Sequence, residues 1–198
     1  ALDLAKGHLS LYQLTVEPGT AFARAVARGD WAPAPEDLAA DQFELAQAMC
    51  AAAGLFPYEV SNNAAPGHEA RHNLLYWRYQ QYLGLGPGAH GRLALDGTLC
   101  EVVAVADPKQ YLVLPPEERF AVTPLSSADQ AVEMLSMGLR LTEGVSLARY
   151  ESLAGAPLDA GVLAGLERDG LLTIAGDRLI LTDAGRRVLN GVLLALTG

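Results

Sequence analysis

The chain has 198 residues, 51% of them apolar, and a formal net charge of −9. This length and composition suit one large domain or two small ones with a real core, and no apolar run is long enough for a membrane span. The acidic balance argues against non-specific nucleic-acid binding, which needs clustered lysine and arginine, and against binding to an anionic membrane surface.

The two cysteines, Cys50 and Cys100, are far apart, and each lies in an apolar stretch. This pattern favours reduced core residues of a cytoplasmic protein over a disulfide or a metal pair. Residues 1–6 carry an acid and are not followed by a long apolar core, so no signal peptide is predicted.

The first third of the chain predicts a strand, a helix and a second strand. Residues 8–16 alternate between apolar and polar side chains and predict the first strand. Residues 36–53 predict a helix that follows Pro35 and ends at Gly54. Residues 58–61 then predict a short strand. This order is typical of a βαβ unit, so parallel strands are expected.

The middle third is expected to contain a hairpin. Residues 89–95 and 98–105 flank Asp96-Gly97, which is a strong hairpin signal. Residues 82–86 predict a further strand that ends in a glycine turn. Residues 107–114 predict a short helix capped by Asp107.

A second domain is expected over residues 124–198, after a first domain over residues 1–123. Its pattern predicts three helices, a hairpin and a closing helix, over residues 127–141, 146–153, 159–169, 171–182 and 183–196. This order is typical of a winged-helix-like module. Winged helices often bind DNA, but from Pro124 onward six arginines face nine acids, so a packing or lid role is favoured.

His68-Glu69-Ala70-Arg71-His72 matches the H-E-x-x-H pattern of zinc proteases, in which both imidazoles lie on one helix face. Pro66-Gly67 stands directly before it, so His68 is at best in the first turn of a helix. No third ligand follows at a recognised spacing. A polar loop with a chance match is therefore favoured over a metalloprotease.

Two further motifs each leave two interpretations open. Gly84-x-Gly86-x-Gly88 either lets the backbone approach a ligand or forms a tight turn, and His90 ends it. In His72-Asn73-x-x-Tyr76-Trp77, a helix would place His72 and Tyr76 on one face. An imidazole can ligate haem iron and aromatic rings can pack on a porphyrin. The alternative is that Tyr76 and Trp77 are structural anchors and Asn73 is a cap.

Together these segments resemble the C-terminal half of the oxygen-independent coproporphyrinogen III oxidase-like proteins, and more specifically their haem chaperone branch. The resemblance covers nearly the whole chain. Its segments are residues 8–20, 58–62, 72–77, 82–90 and 133–145.

The resemblance implies an α/β fold: the C-terminal part of an open radical S-adenosylmethionine (β/α)6 barrel, followed by a small winged-helix-like domain. It also implies a [4Fe-4S] cluster on a C-x3-C-x2-C loop, with S-adenosylmethionine at the open iron. No such cysteine triplet occurs in this chain. We therefore expect the cluster to belong to the other half of the intact protein, and no catalytic residue is assigned here.

The resemblance also implies site residues. Gln13, Thr15, Gly86 and His90 are candidates for the S-adenosylmethionine side. His72, Asn73, Tyr76 and Trp77 are candidates for binding haem, with His72 as the axial ligand to its iron.

The expected function is therefore haem binding for transfer to an acceptor protein, with radical decarboxylation of coproporphyrinogen III as the alternative and nucleic-acid binding as a remote one. The segment Tyr12-Gln13-Leu14-Thr15 and the Tyr76-Trp77 pair favour the chaperone. If the barrel begins with the strand predicted over residues 8–16, that strand has no neighbour on one side. Its edge over residues 9–16 would then be unpaired, so self-association is also expected.

Overall fold

The structure is a computed structural model that describes residues 1–198. It divides into two units, Ala1–Glu69 and Ala70–Gly198. Every helix falls short, in length or in apolar character, of what crossing a bilayer requires. The predicted domain division after residue 123 falls inside the second unit, and it stays a prediction.

The first unit contains a three-stranded antiparallel sheet and two helices. The strands are in the order β1-β3-β2, so the predicted parallel βαβ unit is wrong. The elements are β1 (His8–Ser10), α1 (Ala21–Arg28), α2 (Glu36–Ala52), β2 (Phe56–Pro57) and β3 (Asn62–Ala64).

The predicted strand over residues 58–61 is instead the turn between β2 and β3. The carboxylate of Glu59 accepts hydrogen bonds from the backbone N–H of Ser61, at 2.7 Å, and from the side-chain amide of Asn62. Glu59 is only 1% exposed. The predicted strand does not form, because the buried Glu59 side chain folds back on the next residues and closes the turn.

The predicted strand over residues 8–16 is confirmed only for its first three residues. In the pairing with β3, His8 lies opposite Ala64 and Ser10 opposite Asn62. Because β3 begins at Asn62, the chain beyond Leu11 has no partner strand. Tyr12 and Leu14 are accordingly 78% and 60% exposed.

The second unit begins with α3 (Arg71–Trp77) and a meander of β4 (His90–Leu95), β5 (Thr98–Ala104) and β6 (Phe120–Pro124). The predicted hairpin is confirmed, with Asp96 and Gly97 at φ values of 48° and 82°, typical of a type I′ turn. The predicted strand over residues 82–86 is wrong: it makes a single bridge, from Tyr82 to Arg92. Helix α4 (Pro108–Val113) is capped by Asp107, as predicted.

The C-terminal part packs helices around a small antiparallel sheet in the order β7-β9-β8. Its most deeply buried residues are Leu135, Leu139, Leu141, Leu172, Leu179, Leu181 and Val192. Its elements are α5 (Ser127–Gly138), β7 (Val145–Ser146), α6 (Leu147–Ala154), α7 (Ala160–Arg168), β8 (Leu172–Ala175), β9 (Arg178–Leu181), α8 (Asp183–Arg187) and α9 (Leu189–Thr197).

The last predicted helix is wrong in one respect, because it is broken at Val188 into α8 and α9. Its N-cap is Thr182, whose hydroxyl accepts the backbone N–H of Gly185 at 3.0 Å. Gly185 is itself closely packed, and a Cβ there would overlap the carbonyl oxygen of Leu171.

We expect Gly185→Ala to lower the free energy of unfolding by about 3 kcal/mol, because backbone would have to move to admit one methyl group. Gly191→Ala is the matched control. It is also a helical glycine, but a Cβ there would meet nothing within 4 Å, so it should raise stability by up to about 1 kcal/mol. Chemical denaturation measures both, and equal effects would contradict this account of the packing.

Candidate functional site

Helix α3 holds all four haem-candidate residues within two turns. His72 and Tyr76 are four residues apart, so they share a helix face. Their ring centroids are 5.2 Å apart at an interplanar angle of 77°. This edge-to-face geometry is favourable for aromatic pairs.

Tyr76 is the centre of this group. Its hydroxyl donates to the side-chain oxygen of Asn73 at 2.9 Å. Its ring lies 4.7 Å from that of Trp77 and 6.0 Å from that of Tyr82. Asn73 is therefore not a helix cap, since α3 has Ala70 at its N-cap position.

Trp77 anchors the end of α3 within the second unit. The guanidinium of Arg140, two residues beyond α5, lies 4.4 Å from its ring centroid, within cation–π range. The indole N–H of Trp77 is buried with no hydrogen-bond acceptor. The anchoring interpretation therefore describes Trp77 well, although its contacts are with the C-terminal helices and not with a barrel.

His72, in contrast, is exposed. A neutral imidazole is a common iron ligand in haem proteins. Tyr82 leads into Leu83 and Leu85, which are 60% and 83% exposed. An exposed imidazole that packs on an aromatic group fits a haem bound at the surface. His72 lines neither of the two cavities lined by Tyr79 and by Trp77.

The four S-adenosylmethionine-side candidates lie in irregular segments or at the start of a strand. Gln13 and Thr15 belong to the first unit and are exposed, and the Gln13 side-chain amide donates to the carbonyl of Ala39 at 2.9 Å. Gly86 and His90 belong to the second unit. Gly86 has φ of 96°, a conformation that favours glycine. His90 is exposed and is the first residue of β4.

Only the last two residues of the H-E-x-x-H match are helical. Helix α3 begins at Arg71, so His68 and Glu69 precede it and the two imidazoles do not share a helix face. No group of three or more histidine, cysteine or acidic side chains in the chain is arranged to hold a metal ion. Cys50 and Cys100 are both free thiols and both buried.

An ion pair between buried Arg92 and half-buried Glu133 joins β4 to α5, and it was not predicted from the sequence. Arg92 donates to both carboxylate oxygens of Glu133, at 2.7 and 3.0 Å, and lies 3.1 Å from Glu101. The Tyr79 hydroxyl donates to Glu133 at 2.8 Å. Arg92 and Tyr79 are each 8% exposed. Burial would raise the pKa of Glu133, but the hydrogen bonds from Arg92 and Tyr79 outweigh it and lower that pKa.

The contact between Arg92 and Glu101 in this cluster could have been predicted from the register of the hairpin. A two-residue turn at Asp96-Gly97 places Arg92 directly opposite Glu101, and such opposite charges on paired strands attract. Nothing local to Glu133 indicated its role, because it reaches Arg92 from a separate element.

A second cluster centres on Glu143, which precedes β7. Arg78 donates two hydrogen bonds to its carboxylate, at 2.8 and 2.9 Å. Arg178 lies 3.6 Å from it and donates to the backbone carbonyls of Glu143 and Gly144. The hydrogen bond from Arg78 is the main reason why the pKa of Glu143 is lowered.

The comparisons with known proteins cover the whole chain. Residues 125–188 match the family of the HemN C-terminal domain. The chain is 38% identical to the haem chaperone HemW of Mycobacterium tuberculosis H37Rv, over 100% of the chain and 49% of that protein. It is 35% identical to HemW of Bacillus subtilis 168, over 100% of the chain and 53% of that protein.

The resemblance of this chain to the oxygen-independent coproporphyrinogen III oxidase-like proteins, and to their haem chaperone branch, is confirmed by the HemW relatives. The chain spans about half the length of the curated relatives it matches. A bovine mitochondrial relative, radical S-adenosyl methionine domain-containing protein 1, is 35% identical over 96% of the chain and 46% of its own length.

A solved structure gives the same fold. The coproporphyrinogen III oxidase HemN from Escherichia coli, described as a radical SAM enzyme, matches with a TM-score of 0.70 over 99% of this chain and 49% of that one. The identity is 18%, so this match supports the α/β fold alone.

We expect Glu143→Gln to flatten the dependence of stability on acid pH. A carboxyl with a lowered native pKa contributes stability that is full above its unfolded pKa, about 4.3 for glutamate, and that is lost as the pH falls through the lower native value. The free energy of unfolding, measured between about pH 6 and pH 3, should therefore fall less steeply in the variant. Glu167→Gln, an exposed glutamate on α7, is the control and should follow the unmodified chain.

Proposed function

We propose that this chain is the haem-binding half of a haem chaperone, and that His72 ligates the iron of the haem it carries. The observation that carries the proposal is the state of His72: an exposed imidazole that packs edge-to-face on Tyr76 in an aromatic group. The similarity to HemW, along the whole chain, supports haem as the cargo.

The geometry suits a protein that must release what it binds. Haem in an enclosed pocket is held by many apolar contacts, whereas a surface site offers one iron ligand and one apolar face. Tyr76 is fixed by Asn73, Trp77 and Tyr82, so the surface that meets the porphyrin is set before binding. Such preorganisation lowers the entropic cost of association.

We also propose a finer architecture for the chain. Its first part is the C-terminal part of an open radical-SAM barrel. This is followed by a winged-helix-like domain whose core elements are α5, α6, α7 and the β8–β9 hairpin. Gln13, Thr15, Gly86 and His90 would border S-adenosylmethionine in the intact protein. The chain's own residues do not fit the [4Fe-4S] cluster, because its two cysteines are buried in separate units. An acceptor protein for the haem, a cytoplasmic location, the absence of nucleic-acid binding, and self-association belong to the same proposal.

The oxidase alternative has less support. The chain is 18% identical to the solved oxidase and 38% identical to a haem chaperone. No observation of this structure favours the oxidase separately.

Titration of the purified chain with haemin, followed by the Soret band, tests the role of His72. We expect saturable binding near one haem per chain. His72→Ala should weaken it at least about tenfold, equal to roughly 1.4 kcal/mol, because the iron loses its protein ligand. Tyr76→Phe keeps the ring but removes the hydrogen bond to Asn73, and it should have a smaller effect.

The matched control is His90→Ala, which removes another exposed histidine of the same unit and should leave the affinity unchanged. Circular dichroism establishes that each variant is folded. Unchanged affinity and an unchanged Soret maximum in folded His72→Ala would overturn the assignment.

A further inference from the structure

A small pocket beside Trp77 carries an excess of positive charge. Its volume is about 180 Å³, and Trp77, Arg78, Glu143, Arg149 and Arg178 are among the residues that line it. Three guanidinium groups thus face a single carboxylate in a chain whose formal net charge is −9. The pocket is therefore positively charged in a chain that is acidic overall.

The hydrogen bonds of the cluster do not balance its charge. Arg149 donates to two backbone carbonyls, those of Arg78 and Tyr79, at 2.7 and 2.6 Å. Carbonyl oxygens satisfy its donors but do not neutralise it. Glu143 is shared between Arg78 and Arg178. Asp177, which accepts a hydrogen bond from Ser146 in the pocket lining, also interacts with Arg178. The three guanidinium groups therefore exceed the nearby carboxylates by about one positive charge. Arginine groups in this state are effective receptors for carboxylate and phosphate oxygens.

Trp77 connects this pocket to the haem-candidate residues. It belongs to α3 with His72 and Tyr76, and it lines the pocket as well. The helix rises about 9 Å from His72 to Arg78, a distance on the scale of one porphyrin ring. Six residues also turn the helix by about 240°, so His72 and Arg78 leave α3 on different faces. A ligand that meets both groups therefore has to reach around this end of α3.

We propose that this pocket binds a carboxylate side chain of a tetrapyrrole. The pocket is too small for the macrocycle, but it is large enough for a carboxylate, and its donor set recognises an anion. The choice of a tetrapyrrole rests on the proposed function. The pocket supplies the orientation that a single iron ligand on an exposed helix lacks.

The test uses metal-free protoporphyrin IX and its dimethyl ester, because neither can be ligated by His72. Fluorescence titration of the full chain should show the diacid binding at least tenfold more tightly than the ester. Arg149→Met and Arg178→Met should each reduce that preference several-fold. His72→Ala should retain it, and so should Arg168→Gln, which removes an exposed arginine on α7.

Two measurements keep the test decisive if Arg149→Met does not fold, since that side chain also holds backbone carbonyls. Arg178→Lys retains the charge and should retain most of the preference for the diacid. Glu143→Gln removes the opposing carboxylate and should strengthen the preference. Equal affinity for diacid and ester, no binding of either, or a preference unchanged in folded Arg178→Met would overturn the proposal.

Failure of this proposal and failure of the proposed function give different results. If the pocket is unrelated to tetrapyrroles, haemin will still shift the Soret band in a manner that depends on His72, and its dimethyl ester will bind as well as haemin. If haem binding through His72 is wrong, His72→Ala will keep its haemin affinity whatever the arginine variants do.

Discussion

The second unit depends on the pairing of buried Arg92 with half-buried Glu133. This pair joins the hairpin, through β4, to the first helix of the C-terminal part, α5. Such a pair adds little net stability, but loss of either partner destabilises because it leaves the other charge poorly solvated with fewer partners. Here both members are also satisfied by other groups, since Glu101 faces Arg92 and Tyr79 donates to Glu133. The pairing therefore fixes one relative position of the hairpin and α5 and penalises the others.

The same cluster determines where α3 ends. Tyr79 follows α3 with φ of 51°, in the left-handed region that costs a non-glycine residue on the order of 1 kcal/mol. Its backbone N–H and that of Gln80 bond back to carbonyls of α3, which is the arrangement of a Schellman motif. The hydroxyl of Tyr79 on Glu133 and the guanidinium of Arg149 on its carbonyl compensate for the strain. The haem-candidate helix is thus held at its C-terminal end, while His72 stays exposed near its start.

The sequence could predict features that depend on residues close together in the chain, but not those that depend on distant segments. The hairpin at Asp96-Gly97 and the cap at Asp107 are encoded by neighbouring residues, and both were predicted. The strands predicted over residues 58–61 and 82–86 do not form, because local sequence does not reveal whether a partner strand exists. In the site, the shared face of His72 and Tyr76 follows from helical spacing. The three arginines around Glu143 come from three separate segments, so no local pattern could place them together.

The proposed haem site on the short helix α3 has to meet two opposed requirements. Specific binding requires fixed groups, whereas transfer requires that few contacts break at once. Tyr76 and Trp77 meet both requirements, because the contacts that orient them are with the rest of the protein and persist when the ligand leaves. The charged pocket also favours release, because electrostatic contacts at a partly exposed pocket weaken steeply as a competing partner brings its own charges close. An acceptor that presents basic groups to the same carboxylate would therefore compete directly with the pocket beside Trp77, and transfer would not require the protein to unfold around its cargo.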